Sequence, residues 1–191
     1  MVLFLPMLSG CAGNRTILSE DKKHRQSVTG VIAHSKSKQE RDALLVWFVK
    51  NDGDNISYEP VARAYHASAS AAGEEQTPTM KAVEAAVVEL LKGPNTDEEA
   101  SGVGSEVPRG TVLISIGPTK DQSGIVLNLS KRFLSGSGAD SFVHRLEQLK
   151  RTVNDIVSRD SEPKAVFLNV EGERLSQATG DGIDVAQPIN Q

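Results

Sequence analysis

Apolar residues in this chain come in short blocks, and the spacing inside each block alternates between strand-like and helix-like. The block Ala43 to Lys50 (ALLVWFVK) is continuous, short and rich in β-branched and aromatic side chains, which predicts a strand. NDGDN follows, then a second extended stretch, ISYEPVARA from Ile56 to Ala64, so the two blocks predict a hairpin. Beyond a small-residue and acidic linker, HASASAAGEEQ, the residues Met80, Val83, Val87, Leu90 and Leu91, with Ala86 beside them, fall on one helical face. Thr77 offers an N-cap and Pro78 suits the first helical position. Gly93 and Pro94 end the helix, because glycine accepts the left-handed cap and proline cannot continue the ladder.

Two further β-patterned segments, Thr111 to Ile116 and Ile125 to Leu129, are separated by GPTKDQSG and predict a second hairpin. A second amphipathic helix is expected from about Ala139 to Ser158. Its buried stripe is Phe142, Val143, Leu146, Leu149, Val153, Ile156 and Val157, with Arg145, Glu147, Lys150 and Arg151 facing water. A last strand, Ala165 to Val170, leads into EGER, where Gly172 suits a turn. The tail after Leu175 is polar and Gly-rich and is expected to fray. The order ββαββαβ, with no internal repeat, predicts an α+β domain in which two helices pack on one face of a mixed sheet.

The N-terminus carries a different apolar block. Val2 to Leu8 runs directly into Leu8-Ser9-Gly10-Cys11, which resembles a bacterial lipobox: an aliphatic and two small residues before a cysteine that is lipidated and becomes the new N-terminus. Small residues matter there because a peptidase must close on the backbone. On this reading residues 1–11 are a lipoprotein signal peptide, residues 12–42 a polar tether, residues 43–175 the domain and residues 176–191 the polar tail. No Lys or Arg precedes the apolar run, so a start further upstream is also open. No other segment approaches the roughly eighteen continuous apolar residues of a membrane span, and the remainder is expected to be soluble and extracytoplasmic, with the lipid bilayer as partner through acylated Cys11.

Composition narrows the function class. Eight aromatic residues (one Trp, two Tyr, five Phe) in 191 offer no visible aromatic platform, and the core is expected to be aliphatic. A net charge of -4, with Lys and Arg spread through the chain, gives no footprint for a phosphate backbone, so no nucleic-acid partner is expected. A single cysteine can form no internal disulfide and no zinc cage.

The candidates for chemistry are few. Asn51-Asp52-Gly53-Asp54-Asn55 has the residue types of a calcium loop but cannot be fitted to its ligand positions, and a turn is the better reading. Gly102-Val103-Gly104 lacks a third glycine and follows no strand. Ser135-Gly136-Ser137-Gly138 precedes a helix, where an anion is physically acceptable, yet loop punctuation explains it more simply. His144 stands one turn from Asp140 and near Glu147, a weak metal geometry with too few ligands. Glu98 and Glu99 are adjacent, so on a helix they point about 100° apart and do not converge on one atom. No nucleophile, base and orienting group come together. We expect no catalytic residues, no metal site and no cofactor.

Several motifs in fixed order carry a resemblance. They are Leu90-Leu91-Lys92-Gly93-Pro94, Glu98-Glu99, Gly102, Ser105 and Val107-Pro108-Arg109-Gly110-Thr111-Val112-Leu113. Gly124-Ile125-Val126-Leu127-Asn128-Leu129-Ser130, Phe133, the helix to Ile156, and Val166 to Gly172 follow. Together they are similar to the GerMN domain, over about Ala43 to Leu175. The resemblance implies a spore germination protein GerM-like lipoprotein module, with a fold similar to ring-building domains of secretion and sporulation complexes and no established catalytic residues. Its structural signature falls here on Gly93, Pro94, Pro108, Gly110, Thr111, Asn128, Ser130 and Gly172. The family often has Asp at position 128; if that acid caps the following turn, Asn128 can still cap it. GerM itself is similar to a tandem of two such domains, whereas one is legible here. The expected function is a membrane-tethered, noncatalytic interaction or assembly module that binds itself or envelope proteins, with a role in sporulation or germination. The alternatives are an envelope module for a cell-wall or small-molecule ligand and, third, a hydrolase with an unrecognised site.

Overall fold

A computed structural model describes residues 43–53, 55–65, 76–136, 138–177 and 182–191. Cys11, the lipobox and the tether lie outside the described residues. The strand pair begins the fold as predicted: β1 (Ala43–Asp52) and β2 (Asn55–Ala64) pair antiparallel from Ala43↔Ala64 to Asp52↔Asn55. The chain reverses at Gly53, whose φ of 71° is the left-handed geometry that a tight hairpin needs. Alternation along β1 buries Leu44, Val46 and Phe48 on one face.

Helix α1 (Pro78–Lys92) starts where the sequence indicates. The Thr77 hydroxyl accepts the Met80 N–H at 3.2 Å, Pro78 occupies the first turn, and Gly93 at φ 83° closes the end. It buries Met80, Val83, Ala86, Val87 and Leu90. A short helix α2 (Thr96–Ala100) follows, closed by a capping box in which Asn95 Oδ1 accepts from Glu98 N and Glu98 Oε2 accepts from Asn95 N. Next come β3 (Val103–Gly104), β4 (Leu113–Pro118), β5 (Gly124–Leu129), a 3₁₀ turn at Lys131–Leu134, helix α3 (Ala139–Val157), β6 (Ala165–Val170) and β7 (Glu173–Arg174).

The α+β class is as predicted, and the strands divide between two sheets, ordered β2-β1-β3 and β4-β5-β6-β7. The second is the mixed sheet: β4 runs antiparallel to β5, β5 parallel to β6, and β6 antiparallel to β7. The first sheet stops at the two residues of β3 because α3 takes over the next stretch of the β1 edge. Thr152 Oγ1 accepts the Trp47 N–H at 3.0 Å and Gln148 Nε2 donates to Trp47 O at 3.3 Å. One turn of helix thus supplies the donor and acceptor that a further strand would have offered. Helices α1 and α3 touch one another and both pack on β1, and one continuous core joins them to β5 and β6 through Leu127, Leu129, Leu149, Val153, Val166 and Leu168.

Two side-chain expectations are corrected on α3. Val143 is 48% exposed, and Arg145, expected in water, is 3% exposed. The buried face runs through Phe142, Arg145, Gln148, Leu149, Thr152, Val153, Ile156 and Val157, so it is rotated toward three polar positions. Arg145 is tolerated inside because its guanidinium donates to Glu106 O at 2.9 Å and to Phe133 O, and lies over the rings of Phe133 and Phe142. Burial pulls its pKa down from the ordinary arginine value.

The C-terminal residues are also corrected. Residues 182–191 do not fray: Val185 and Ile189 are buried, and Ile189 N donates to Val166 O at 2.8 Å. Gln187 takes both main-chain groups of Leu168, accepting its N–H at 3.0 Å and donating to its carbonyl at 3.3 Å, while Asn190 Oδ1 accepts from Val166 N at 2.8 Å. Polar composition concealed an edge cover, in which amide side chains satisfy the strand backbone beyond the short β7.

Candidate functional site

The signature residues gather around the β4–β5 hairpin and the loops that feed it. Gly110, at φ 85°, turns the chain after Pro108-Arg109, and Thr111 donates its hydroxyl to Pro108 O at 2.7 Å. Ser130 closes the base of the hairpin, accepting from Val112 N at 3.0 Å through its hydroxyl and donating its own N–H to Val112 O at 2.9 Å. Asn128 departs from the expected role. Its Oδ1 accepts the Gly172 N–H at 2.8 Å and so pins the β6–β7 turn, while Ser130 occupies the cap of the following 3₁₀ turn without a side-chain bond. That turn contains two successive left-handed residues, Glu171 at φ 51° and Gly172 at φ 87°, the geometry of a tight primed hairpin.

The adjacent acids are separated by the fold. Glu98 receives the two terminal nitrogens of Arg63 at 2.6 and 2.7 Å, and Arg63 stacks on Phe48. The Arg63 guanidinium holds the Glu98 carboxyl below the ordinary carboxylate range. Glu99 instead pairs with the exposed Arg109 at 2.6 Å. Each acid has a cation of its own, so they form no acid-base couple and act as ties: Glu98 fixes α2 to β2, and Glu99 fixes it to the loop before β4.

His144 is engaged by Tyr58. Its Nδ1 lies 2.7 Å from the Tyr58 hydroxyl, and Arg151 lies over both Tyr58 and Trp47, at 4.5 and 5.4 Å from the ring centroids. Burial, then the nearby Glu147 charge, raises the Tyr58 pKa. This aromatic and cationic cluster joins positions 47, 58, 144 and 151, and no local pattern signals it. Among the described residues no group of three or more His, Cys, Asp or Glu is placed to hold a metal. The Gly136 and Gly138 backbones are left-handed, and a Cβ at Gly136 would stand 3.1 Å from an Arg145 terminal nitrogen. That glycine makes room for the buried arginine.

The remaining feature is the outer edge of the mixed sheet. At the other side of that sheet β6 is covered by β7, Gln187, Ile189 and Asn190, and in the first sheet β1 is covered by β3, Gln148 and Thr152. The outer strand β2 carries Pro60 in its middle, which removes a main-chain donor from that edge. Strand β4 ends its sheet, and Val112 just before it and Ile114 within it are 56% and 48% exposed. A strand edge with no partner strand, carrying exposed apolar side chains, is the geometry to which another chain can add a strand. Pro118 falls only at its last position.

A family model described as Germane: Sporulation and spore germination matches residues 45–176. Comparison with curated proteins gives no match. Solved structures similar to this chain include a candidate lipoprotein from Clostridium perfringens, 16% identical over 76% of this chain and 84% of that one, with a TM-score of 0.47. Another is the first GerMN domain of the sporulation protein GerM from Bacillus subtilis, 16% identical over 76% and 94%, with a TM-score of 0.46. The tandem GerMN domains of the same protein match at 13% identity over 76% of this chain and 45% of that one, with a TM-score of 0.45.

Proposed function

The chain belongs to the Germane family, described as sporulation and spore germination, and from that premise we propose that it is a lipid-anchored, noncatalytic assembly module working on the outer side of a bacterial membrane. The observation that carries the reading is the uneven treatment of the strands: among the described residues β1 and β6 are paired on both sides and β2 is interrupted by Pro60, whereas β4 pairs with β5 alone and Val112 and Ile114 are exposed. Partners are a second copy of the chain or an envelope protein that contributes a strand. The anchor rests on Leu8-Ser9-Gly10-Cys11, and residues 12–42 form the tether that lets the domain reach sideways from the bilayer.

Two arms test this. Crosslinking the anchored protein in its native envelope, followed by identification of the adducts, is expected to recover a multimer or a defined envelope partner. Recovery of monomer alone across expression levels removes the assembly reading. Cys11→Ser is expected to release the protein from membranes and abolish acyl labelling; unchanged fractionation without label on the wild-type chain removes the anchor.

A further inference from the structure

The amino end of α1, the β4–β5 hairpin and the start of β6 enclose a cavity of about 430 Å³. Its floor is apolar, built from Met80 and Ile125, which are 3% and 2% exposed, with Pro118 beside them. Its rim is polar and carries Thr77, Gln122 and Lys164. The strand geometry that opens it is tightly set. Gly124 runs so close to β6 that a Cβ would stand 2.7 Å from Ala165 O.

Lys164 is the charged residue of the lining and, unlike the exposed Lys120 and Lys131, which also have no carboxylate partner among the described residues, it is half-buried. Lys50, Arg63, Lys92, Arg109, Arg151 and Arg159 each have a carboxylate partner. The half-buried Lys164 offers its main-chain carbonyl to Asn190 Nδ2 at 2.9 Å, and its ammonium meets no acceptor among the described residues. Two acids in the loops that lead to Gln122 and Lys164 hold hydroxyl partners. Thr79 Oγ1 donates to Asp160 at 2.7 Å, and Asp121 is held by the Ser123 hydroxyl at 2.9 Å and by Thr119. The amino end of a 15-residue helix adds a partial positive charge to the same rim. The volume lies in the range of small-molecule sites.

We propose that this cavity binds a small carboxylate carrying an apolar tail, with the tail on Met80 and Ile125 and the carboxylate at the Lys164 ammonium, assisted by the Gln122 amide. The pairing satisfies the half-buried cation and covers the apolar floor in one event. The cavity meets β4 only at Pro118, its last residue, and is lined by neither Val112 nor Ile114, so its failure leaves the assembly reading untouched.

The test uses octanoate as the probe, at concentrations below its micellar range, on the full chain with methyl-labelled Met and Ile. Saturable shifts are expected at Met80 and Ile125. Octanol, which keeps the tail and lacks the charge, is expected to bind about tenfold more weakly, and Lys164→Gln to weaken octanoate by about tenfold with an unchanged melting temperature. Absence of saturable shifts at these two residues overturns the proposal. So does equal affinity for octanoate and octanol, or an octanoate affinity unaffected by Lys164→Gln.

Discussion

Gln148→Leu tests the claim that α3 substitutes for a strand along β1. Gln148 is fully buried, and its amide makes three bonds: Oε1 accepts from Glu106 N at 2.8 Å, and Nε2 donates to Trp47 O and to Ser105 Oγ, both at 3.3 Å. Leucine has a similar bulk, so cavity formation contributes little. The variant leaves the Glu106 N–H and the Trp47 carbonyl without partners, and each such group costs about 1–3 kcal/mol when water cannot reach it. Allowing for partial rescue by water at the half-buried Glu106 and for the gain from an apolar side chain, we expect a loss of about 3 kcal/mol. With a urea dependence of about 2 kcal/mol per molar, the unfolding midpoint falls by about 1.5 M. Thr152→Val removes only the acceptor for Trp47 N–H and is expected to cost about 1–2 kcal/mol. The double variant is expected to cost less than the sum, because both side chains bond the main chain of the same residue, Trp47. A midpoint for Gln148→Leu within about 0.25 M of wild type at unchanged slope, which is about 0.5 kcal/mol, refutes the reasoning.

Four further outcomes follow from the same geometry. Glu98→Gln keeps the capping bond to Asn95 and loses the charge facing Arg63, which is expected to cost about 1–2 kcal/mol at pH 7. Because the folded Glu98 carboxyl titrates below its unfolded value, that stability is present above the ordinary Glu range and fades as pH falls through the lowered folded value. Urea melts of the two chains should therefore converge near the acid end, and a gap that persists there contradicts the pairing. Asp121 is expected to titrate at about 2 by carboxyl NMR, held down first by Thr119 and then by Ser123, whereas a midpoint near the ordinary Asp value would dissolve that turn network. Gly124→Ala is expected to destabilise by about 1–3 kcal/mol through its clash with Ala165 O, and Gly117→Ala, with nothing within 4 Å, to stay near neutral by thermal melt. Gln187→Ala is expected to raise amide exchange at Leu168, and unchanged protection would remove its role as an edge cover.

The elements were legible where the sequence signal is local. Thr77-Pro78 and Gly93 mark the ends of α1, and alternation in ALLVWFVK marks the inner face of β1. The motifs around Pro108-Arg109-Gly110 carry the family resemblance in the sequence itself. What escaped was decided by partners distant in sequence. Arg145 reads as a surface residue until the carbonyls of Glu106 and Phe133 are placed around it. A period of three to four through 145, 148 and 152 is present in the sequence but carries polar letters. Residues 187–190 read as loose tail because Gln and Asn have no apolar signal, although their amides are the side chains that best imitate a peptide group. Asn128 was assigned to the nearer turn, and the fold gave it to Gly172, 44 positions away. The cavity beside Lys164 has no sequence motif, since it brings together α1, a hairpin and the start of β6.

Assembly through β4 is tested most directly by placing a photoreactive side chain at Ile114 and, in a separate chain, at Ile56, both in the full-length protein in its native membrane. Ile56 is similarly exposed, at 44%, but lies on the strand interrupted by Pro60. Irradiation is expected to yield a discrete adduct of one partner mass from position 114 and none from position 56. Monomer alone from position 114 across expression levels, or adducts from position 56 in its place, contradicts the account.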